Sequence, residues 1–211
     1  MRRRFLMGTR RELPADFTRL SYIENTGGAY INSGYLYRGN TQPSRIVAEF
    51  EYTDTSANGY LFGAARNTNN AYMLSLHADA NRGKLAFTRI GETGSGIRFT
   101  DIDHDRHRFE YVYQEGVYFD GVLQQSTVDA ANTNITIPIG SNSIGIFTAL
   151  RANAPYANAL ARIYAFQIWD DTGLTFNCIP AQRKSDGVIG MYETVTRTFL
   201  TNAGTGEFLG G

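Results

Sequence analysis

A single cysteine, Cys178, stands in 211 residues, so neither an intrachain disulfide nor a cysteine-based zinc set can form. The chain must hold together by packing. Within Leu174-Thr-Phe-Asn-Cys-Ile, that cysteine reads as a small buried hydrophobe rather than a reactive thiol. Lysine is nearly missing too: Lys84 and Lys184 are the two among 20 basic residues. The remaining positive charge is arginine, whose planar fork suits interfaces and paired sites better than a hydrated ammonium does. Those 20 basic residues are cancelled by 20 acidic ones, which argues against a whole-domain footprint for nucleic acid or an anionic membrane. No apolar run approaches the roughly 20 residues needed to span a bilayer. The run behind the basic start ends after Phe5, Leu6 and Met7, short of a secretion signal. The expectation is a soluble product made in the cytosol, without membrane insertion.

Helical periodicity is also lacking. No segment sustains three clean helical turns, and Asn153 to Leu160 is the best candidate for one short turn. What is present is a series of short strand patterns separated by Gly, Asn, Asp and Thr clusters, the signature of a β-sandwich. Arg45 to Tyr52 sets Ile46, Ala48, Phe50 and Tyr52 against Arg45, Val47, Glu49 and Glu51. Arg108 to Tyr113 repeats the design, with Phe109, Tyr111 and Tyr113 on one side. Val117-Tyr-Phe-Asp-Gly-Val-Leu reads as a hairpin turning at Asp120-Gly121. Ala161 to Asp170 reads as a central strand alternating Arg162, Tyr164, Phe166 and Ile168 with Ile163, Ala165, Gln167 and Trp169. With 42% hydrophobic and 13% aromatic residues, one sizeable core can be filled, which excludes a disordered chain.

The two ends carry the most specific signal. The front runs Leu13-Pro-Ala-Asp-Phe-Thr-Arg-Leu-Ser-Tyr-Ile-Glu-Asn-Thr-Gly-Gly-Ala-Tyr-Ile-Asn-Ser-Gly. The tail runs Ile179-Pro-Ala-Gln-Arg-Lys-Ser-Asp-Gly-Val-Ile-Gly-Met-Tyr and closes on Thr201-Asn-Ala-Gly-Thr-Gly-Glu-Phe. This pairing resembles the concanavalin A-like, laminin-G-like jelly rolls that recur in gut Bacteroidetes proteins and in structural proteins of their phages. The resemblance implies an all-β, two-sheet antiparallel jelly roll over residues 14–211, preceded by a basic arm over residues 1–13. Arg183 to Gly187 then reads as a turn that holds the terminal strands.

Candidate chemistry is sparse. Related folds include laminarinase-type glucanases with a Glu-x-Asp-x-x-Glu strand, but the nearest match, Glu49-Phe-Glu-Tyr-Thr-Asp54, is scrambled and reads as outer-face charge. Asp101, Asp103 and Asp105 alternate along Asp101-Ile-Asp-His-Asp-Arg-His107, a calcium candidate by analogy with laminin-G-like rims, without the glycine and distal glutamate of a calcium loop. Otherwise no metal or cofactor is expected. No nucleophile elbow appears, and Gly91-Glu-Thr-Gly-Ser-Gly lacks the strand-then-helix setting of a phosphate loop. Catalysis is not expected. A glycan site needs an exposed aromatic face with flanking polar groups. Tyr60, Arg66, Asn67, Asn70, Tyr72 and His77 share one strand-loop-strand unit and are the candidates. Trp169 reads as a packing anchor rather than a sugar platform.

The arm carries Arg2, Arg3, Arg4, Phe5, Leu6, Arg10 and Arg11, suited to docking on a larger assembly. With the resemblance, it points to a non-catalytic virion structural and recognition module. Such a module would bind other virion proteins or itself, and host or mucus glycans. The alternative is a lectin-like carbohydrate-binding domain at a bacterial cell surface, and a glycoside hydrolase of the same fold ranks third.

Overall fold

A computed structural model describes residues 13–36, 43–65, 73–91, 97–125, 143–152 and 154–211. Two sheets stack face to face. The larger contains β1 (Phe17–Arg19), β2 (Ile23–Asn25), β4 (Arg45–Tyr52), β9 (His107–Val112), β10 (Gly116–Phe119), β11 (Val122–Gln125), β15 (Ala161–Asp170), β16 (Gly173–Arg183), β17 (Ile189–Glu193), β18 (Thr198–Leu200) and β19 (Phe208–Gly210). The smaller contains β3 (Ile31–Leu36), β5 (Gly59–Ala65), β6 (Met73–Asp79), β7 (Lys84–Gly91), β8 (Ile97–Asp101), β12 (Ser143–Ile146), β13 (Ala149–Arg151) and β14 (Ala154–Tyr156). The helical content of the described residues is one 3-10 turn, Ala80–Arg82. The chain is therefore an all-β jelly roll. Among the described strands, pairing is antiparallel except where β13 runs parallel to β5.

The alternating strands behave as their periodicity dictates. In β4, Ile46, Ala48, Phe50 and Tyr52 enter the core, while Glu49 and Glu51 stay half-buried on the outer face. Val47, on the polar side of the pattern, is nonetheless fully buried. The β10–β11 hairpin turns at Asp120 (φ 48°) and Gly121 (φ 78°), two successive left-handed residues as a primed turn requires. Aromatic rings join the sheets. Phe62 of β5 sits 5.9 Å from Phe109 of β9 and 5.2 Å from Phe166 of β15, and Phe87 of β7 lies 5.0 Å from Phe109. All four are fully buried.

Two sequence expectations need correction. In β15 a bulge between Ile163 and Ala165 breaks the alternation, so Ala161, Ile163, Phe166 and Ile168 are the buried residues, and Arg162 and Tyr164 face outward. One extra residue re-aims everything on one side of it. The Asn153–Leu160 segment contains a strand, β14, where a helical turn was expected. Pro155 has no N–H to give a helix interior but is tolerated on an edge strand, and β14 pairs on one side with β13.

Front and tail meet in space. β1 pairs with β16, aligning Phe17 with Arg183, and β2 pairs with β19, aligning Asn25 with Phe208. Between them, the Ala203 N–H donates to Tyr30 O (2.8 Å) and the Thr205 N–H to Gly28 O (3.1 Å). A Cβ on Gly204 would collide with the Gly28 carbonyl, which explains glycine in both end motifs. Lys184 donates to Ala15 O at 2.7 Å, and Arg183 grips Asp186. The Arg183 to Gly187 turn thus ties the tail to the front.

Because Phe109 packs against three rings of the opposite sheet, Phe62, Phe87 and Phe99, Phe109→Ala should lower stability by about 3–5 kcal/mol in urea unfolding. A loss below about 1 kcal/mol would show that the inter-sheet rings do not carry the fold.

Candidate functional site

Most charged side chains on the outer face of the larger sheet are mutually engaged. The carboxylate of Glu49 accepts from Arg106 (2.6 Å) and Arg108 (3.2 Å), and that of Glu51 from Arg162 (2.9 Å) and the Tyr164 hydroxyl (2.7 Å). Arg162 also donates to Glu24 at 2.7 Å, and Arg45 to Glu110 at 2.7 Å. Guanidinium groups cover ring faces: Arg45 lies 4.4 Å from the Trp169 ring centroid and Arg106 lies 3.9 Å from that of Tyr164. Trp169 is therefore a half-buried stacking partner on the outer face. Each oxygen of Glu49 and Glu51 already has a donor, so neither carboxylate is poised over an open space as a glycosidase pair must be.

The Asp101 to His107 cluster also resolves into pairs. Asp101 meets Lys84 at 2.6 Å. Asp103 accepts from the Asp105 N–H and from His107 Nε2, while His107 Nδ1 reaches Asp120 at 2.7 Å. His104 turns away to the Tyr52 carbonyl, 2.9 Å distant. Among the described residues no group of three such side chains converges as a metal site.

A cleft of about 400 Å³ opens beside the terminal turn, lined in part by Asp186, Ile189, Asn202 and Phe208. Its central polar groups are spoken for. Asn202 accepts from the Tyr30 and Gly204 N–H groups and donates to Gly206 O, and Asp186 is held by Arg183.

The outer face of the smaller sheet differs. Three buried side-chain polar atoms without a hydrogen-bond partner, Ser75 Oγ, His77 Nδ1 and Arg151 Nε, lie on this face, on β6 and β13, two strands that flank β5. Leaving such an atom unpaired costs about 1–3 kcal/mol, so a cluster of them calls for an explanation. Around them stand aromatic rings. Tyr60 packs 4.7 Å from His77 and 5.6 Å from Tyr156, and the Arg151 guanidinium lies 3.8 Å above the Tyr156 ring. Between these groups the face is made of small residues, Gly63, Ala65 and Ala149.

Local chain geometry places each group. A bulge between Tyr60 and Phe62 sends both Leu61 and Phe62 into the core and releases Tyr60 outward, opposite His77. Tyr156 is pinned by Thr148, whose hydroxyl accepts from the Tyr156 N–H (3.0 Å) and donates to its carbonyl (3.2 Å). At the other end Asp79 accepts from Arg98 (2.7 Å) and Arg82 (2.9 Å). Burial pulls His77 down to about 4, so it is neutral near pH 7. Burial, followed by the charge field of Tyr156, pushes the Tyr60 hydroxyl up to about 12.

Of the sequence candidates, the structure brings Tyr60 and His77 together, while Arg66, Asn67, Asn70 and Tyr72 lie outside the described residues. So do Arg2, Arg3, Arg4, Phe5, Leu6, Arg10 and Arg11. Tyr60 itself is 6% exposed and serves as packing; the open aromatic is Tyr156, 41% exposed. Tyr156 escaped notice because its segment was read as a helical turn, although Pro155 was an edge-strand signal, and Arg151, just before that segment, carried no signal of its own.

No family model matches the chain, and no curated protein matches it. Among solved structures, a native heptameric SAP-like pentraxin from Limulus polyphemus aligns with a TM-score of 0.55 at 14% identity, covering 92% of this chain and 95% of that one. A Bacteroides ovatus protein, provisionally assigned to carbohydrate binding, aligns with a TM-score of 0.52 at 14% identity, covering 92% of this chain. The chain spans 60% of that protein's length. At this identity the likeness is one of fold.

His107 and His77 together give stability an optimum. Burial works against charging His107, but its bonds to Asp120 and Asp103 win and raise it above 6.5. Its contribution is complete below pH 6.5 and fades as pH climbs through the raised value. His77, lowered toward 4, contributes fully above 6.5 and loses its share as pH falls from 6.5 to about 4. Urea unfolding from pH 4 to 9 should therefore peak near neutrality. His107→Gln should flatten the alkaline limb and His77→Gln the acid limb between 4 and 6.5; unchanged limbs would refute both assignments.

Proposed function

We propose that this chain is a non-catalytic, lectin-like carbohydrate-binding domain that binds through the outer face of the smaller sheet. The observation that carries this reading is the grouping of an exposed, backbone-pinned Tyr156 with three partnerless polar atoms on one face. A sugar ring stacks on an aromatic face and needs donors and acceptors beside it for its hydroxyls. Tyr156 offers the ring, and His77, Ser75 and Arg151 offer the bonds. Side-chain rotation on binding, common where the backbone stays fixed, opens the buried atoms to ligand. The fold supports the reading, since a provisionally assigned carbohydrate-binding protein shares it. A non-catalytic role is supported by the occupied oxygens of Glu49 and Glu51.

A virion role ranks below this one. It rests on the basic arm, which lies outside the described residues, and on the resemblance of the two end motifs, and nothing in the structure or among the similar proteins favours it. Placement at a bacterial surface accompanies the lectin reading.

The test is binding of the purified chain to a panel of bacterial capsular polysaccharides, plant polysaccharides and mucin glycans. Saturable binding is expected, and Tyr156→Ala should weaken it at least tenfold. Melting should fall by no more than about 4 °C, the equivalent of about 1 kcal/mol. Absence of binding across the panel, or a Tyr156→Ala protein that binds normally, would overturn the reading.

A further inference from the structure

We propose that the ligand of this face is an acidic glycan whose carboxylate is taken by the Arg151 fork; the proposal rests on the carbohydrate-binding reading above. Arg151 is held by its stacking over Tyr156, yet its Nε has no partner and the residue makes no ion pair with any described residue. The Nε and one terminal nitrogen of a guanidinium form an edge that matches the two oxygens of a carboxylate. Among the described side chains, every other charge placed on this face is already answered. Asp79 is shared by Arg82 and Arg98, and Lys84 pairs with Asp101. Among the described residues, Arg151 is thus the surplus cation of the face, half-buried and without an anion.

A neutral sugar would satisfy Ser75 and His77 through its hydroxyls but leave that guanidinium short of an acceptor equal to its charge. A carboxylate answers it with charge-assisted bonds, roughly twice as strong as neutral ones. The Tyr156 ring beneath the guanidinium fixes the plane of the fork and so the orientation of the sugar carrying the acid. His77 is uncharged near neutrality and leaves the acid to Arg151.

The experiment measures affinity for polygalacturonate and alginate, for their carboxyl-reduced neutral forms, and for dextran sulfate as a charge control. The wild-type chain should bind an acidic form at least tenfold more tightly than its reduced counterpart. Arg151→Gln should abolish that difference while retaining weak binding and an unchanged melting temperature. Arg151→Lys should recover only part of it, because a point charge lacks the fork. Arg19→Gln, which removes an exposed charge on β1, should change nothing. If acidic and reduced forms bind alike, or Arg151→Gln preserves the preference, the acidic-ligand proposal fails and the carbohydrate reading stands. If dextran sulfate matches the uronates in wild type and Arg19→Gln weakens all three alike, the attraction is general charge and the proposal fails again. If neither polymer binds in either form while other glycans of the wider panel do, the acid class is wrong. If nothing on that panel binds, the carbohydrate reading itself falls.

Discussion

Four phenylalanine rings, two from each sheet, interlock between the layers, and the placement of nearly everything else follows from them. Phe62 and Phe87 reach inward from the smaller sheet to meet Phe109 and Phe166 of the larger one at centroid spacings of 5.0 to 5.9 Å. Without a disulfide the sheets have no cross-link beyond the loops of the chain, so this contact sets their separation and mutual angle. Each of the four strands that supplies a ring is thereby fixed in register. A one-residue slip would turn its whole apolar set toward solvent.

That rigidity creates a conflict in two strands, and a bulge resolves it in each. In β5, plain alternation would put Tyr60 on the same side as Phe62, inside the sandwich. The bulge keeps Phe62 where the core needs it, adds Leu61 to the core, and sends Tyr60 outward to His77. In β15 the same device keeps Ile163 and Phe166 inside while Arg162 and Tyr164 turn out to Glu24 and Glu51. Bulges are known for re-aiming side chains next to functional positions. Here they mark where the demands of the core and of a surface diverge.

They also mark where reading the sequence stops working. Strict alternation made β4 and the β10–β11 hairpin legible, because period-two burial and an Asp-Gly turn each have one physical meaning. Residue pattern carried the end motifs too: the glycines near 28 and 204 are small because two loops touch there. A bulge leaves no such signature in composition. Arg162 and Tyr164 were therefore grouped with Phe166 and Ile168, on the wrong side of the strand. At the candidate site, Tyr60 and His77 were visible as a strand pair in sequence, but their exposure was not. Tyr156 and Arg151 enter only through tertiary pairing, since β13 joins β5 in parallel across a long sequence gap. No local rule reports such a contact.

The two outer faces differ in how far their polar groups are already paired, and the carbohydrate-binding proposal rests on that contrast. On the larger sheet, four arginines and four glutamates close on one another, three of the arginines cover aromatic rings, and no orphaned atom is found among the described residues. Such a network stiffens the sheet and has little to offer a newcomer, because any ligand must first displace a bond already made. On the smaller sheet the polar atoms are buried but unanswered, a state that costs the fold stability and that packing alone would not favour. Replacement of Ser75 by alanine would relieve one of these costs at no visible loss of packing. Its presence beside Arg151 and His77 is explained if the bonds are completed by something that comes and goes. The stability forgone in the free protein then reappears as affinity in the complex.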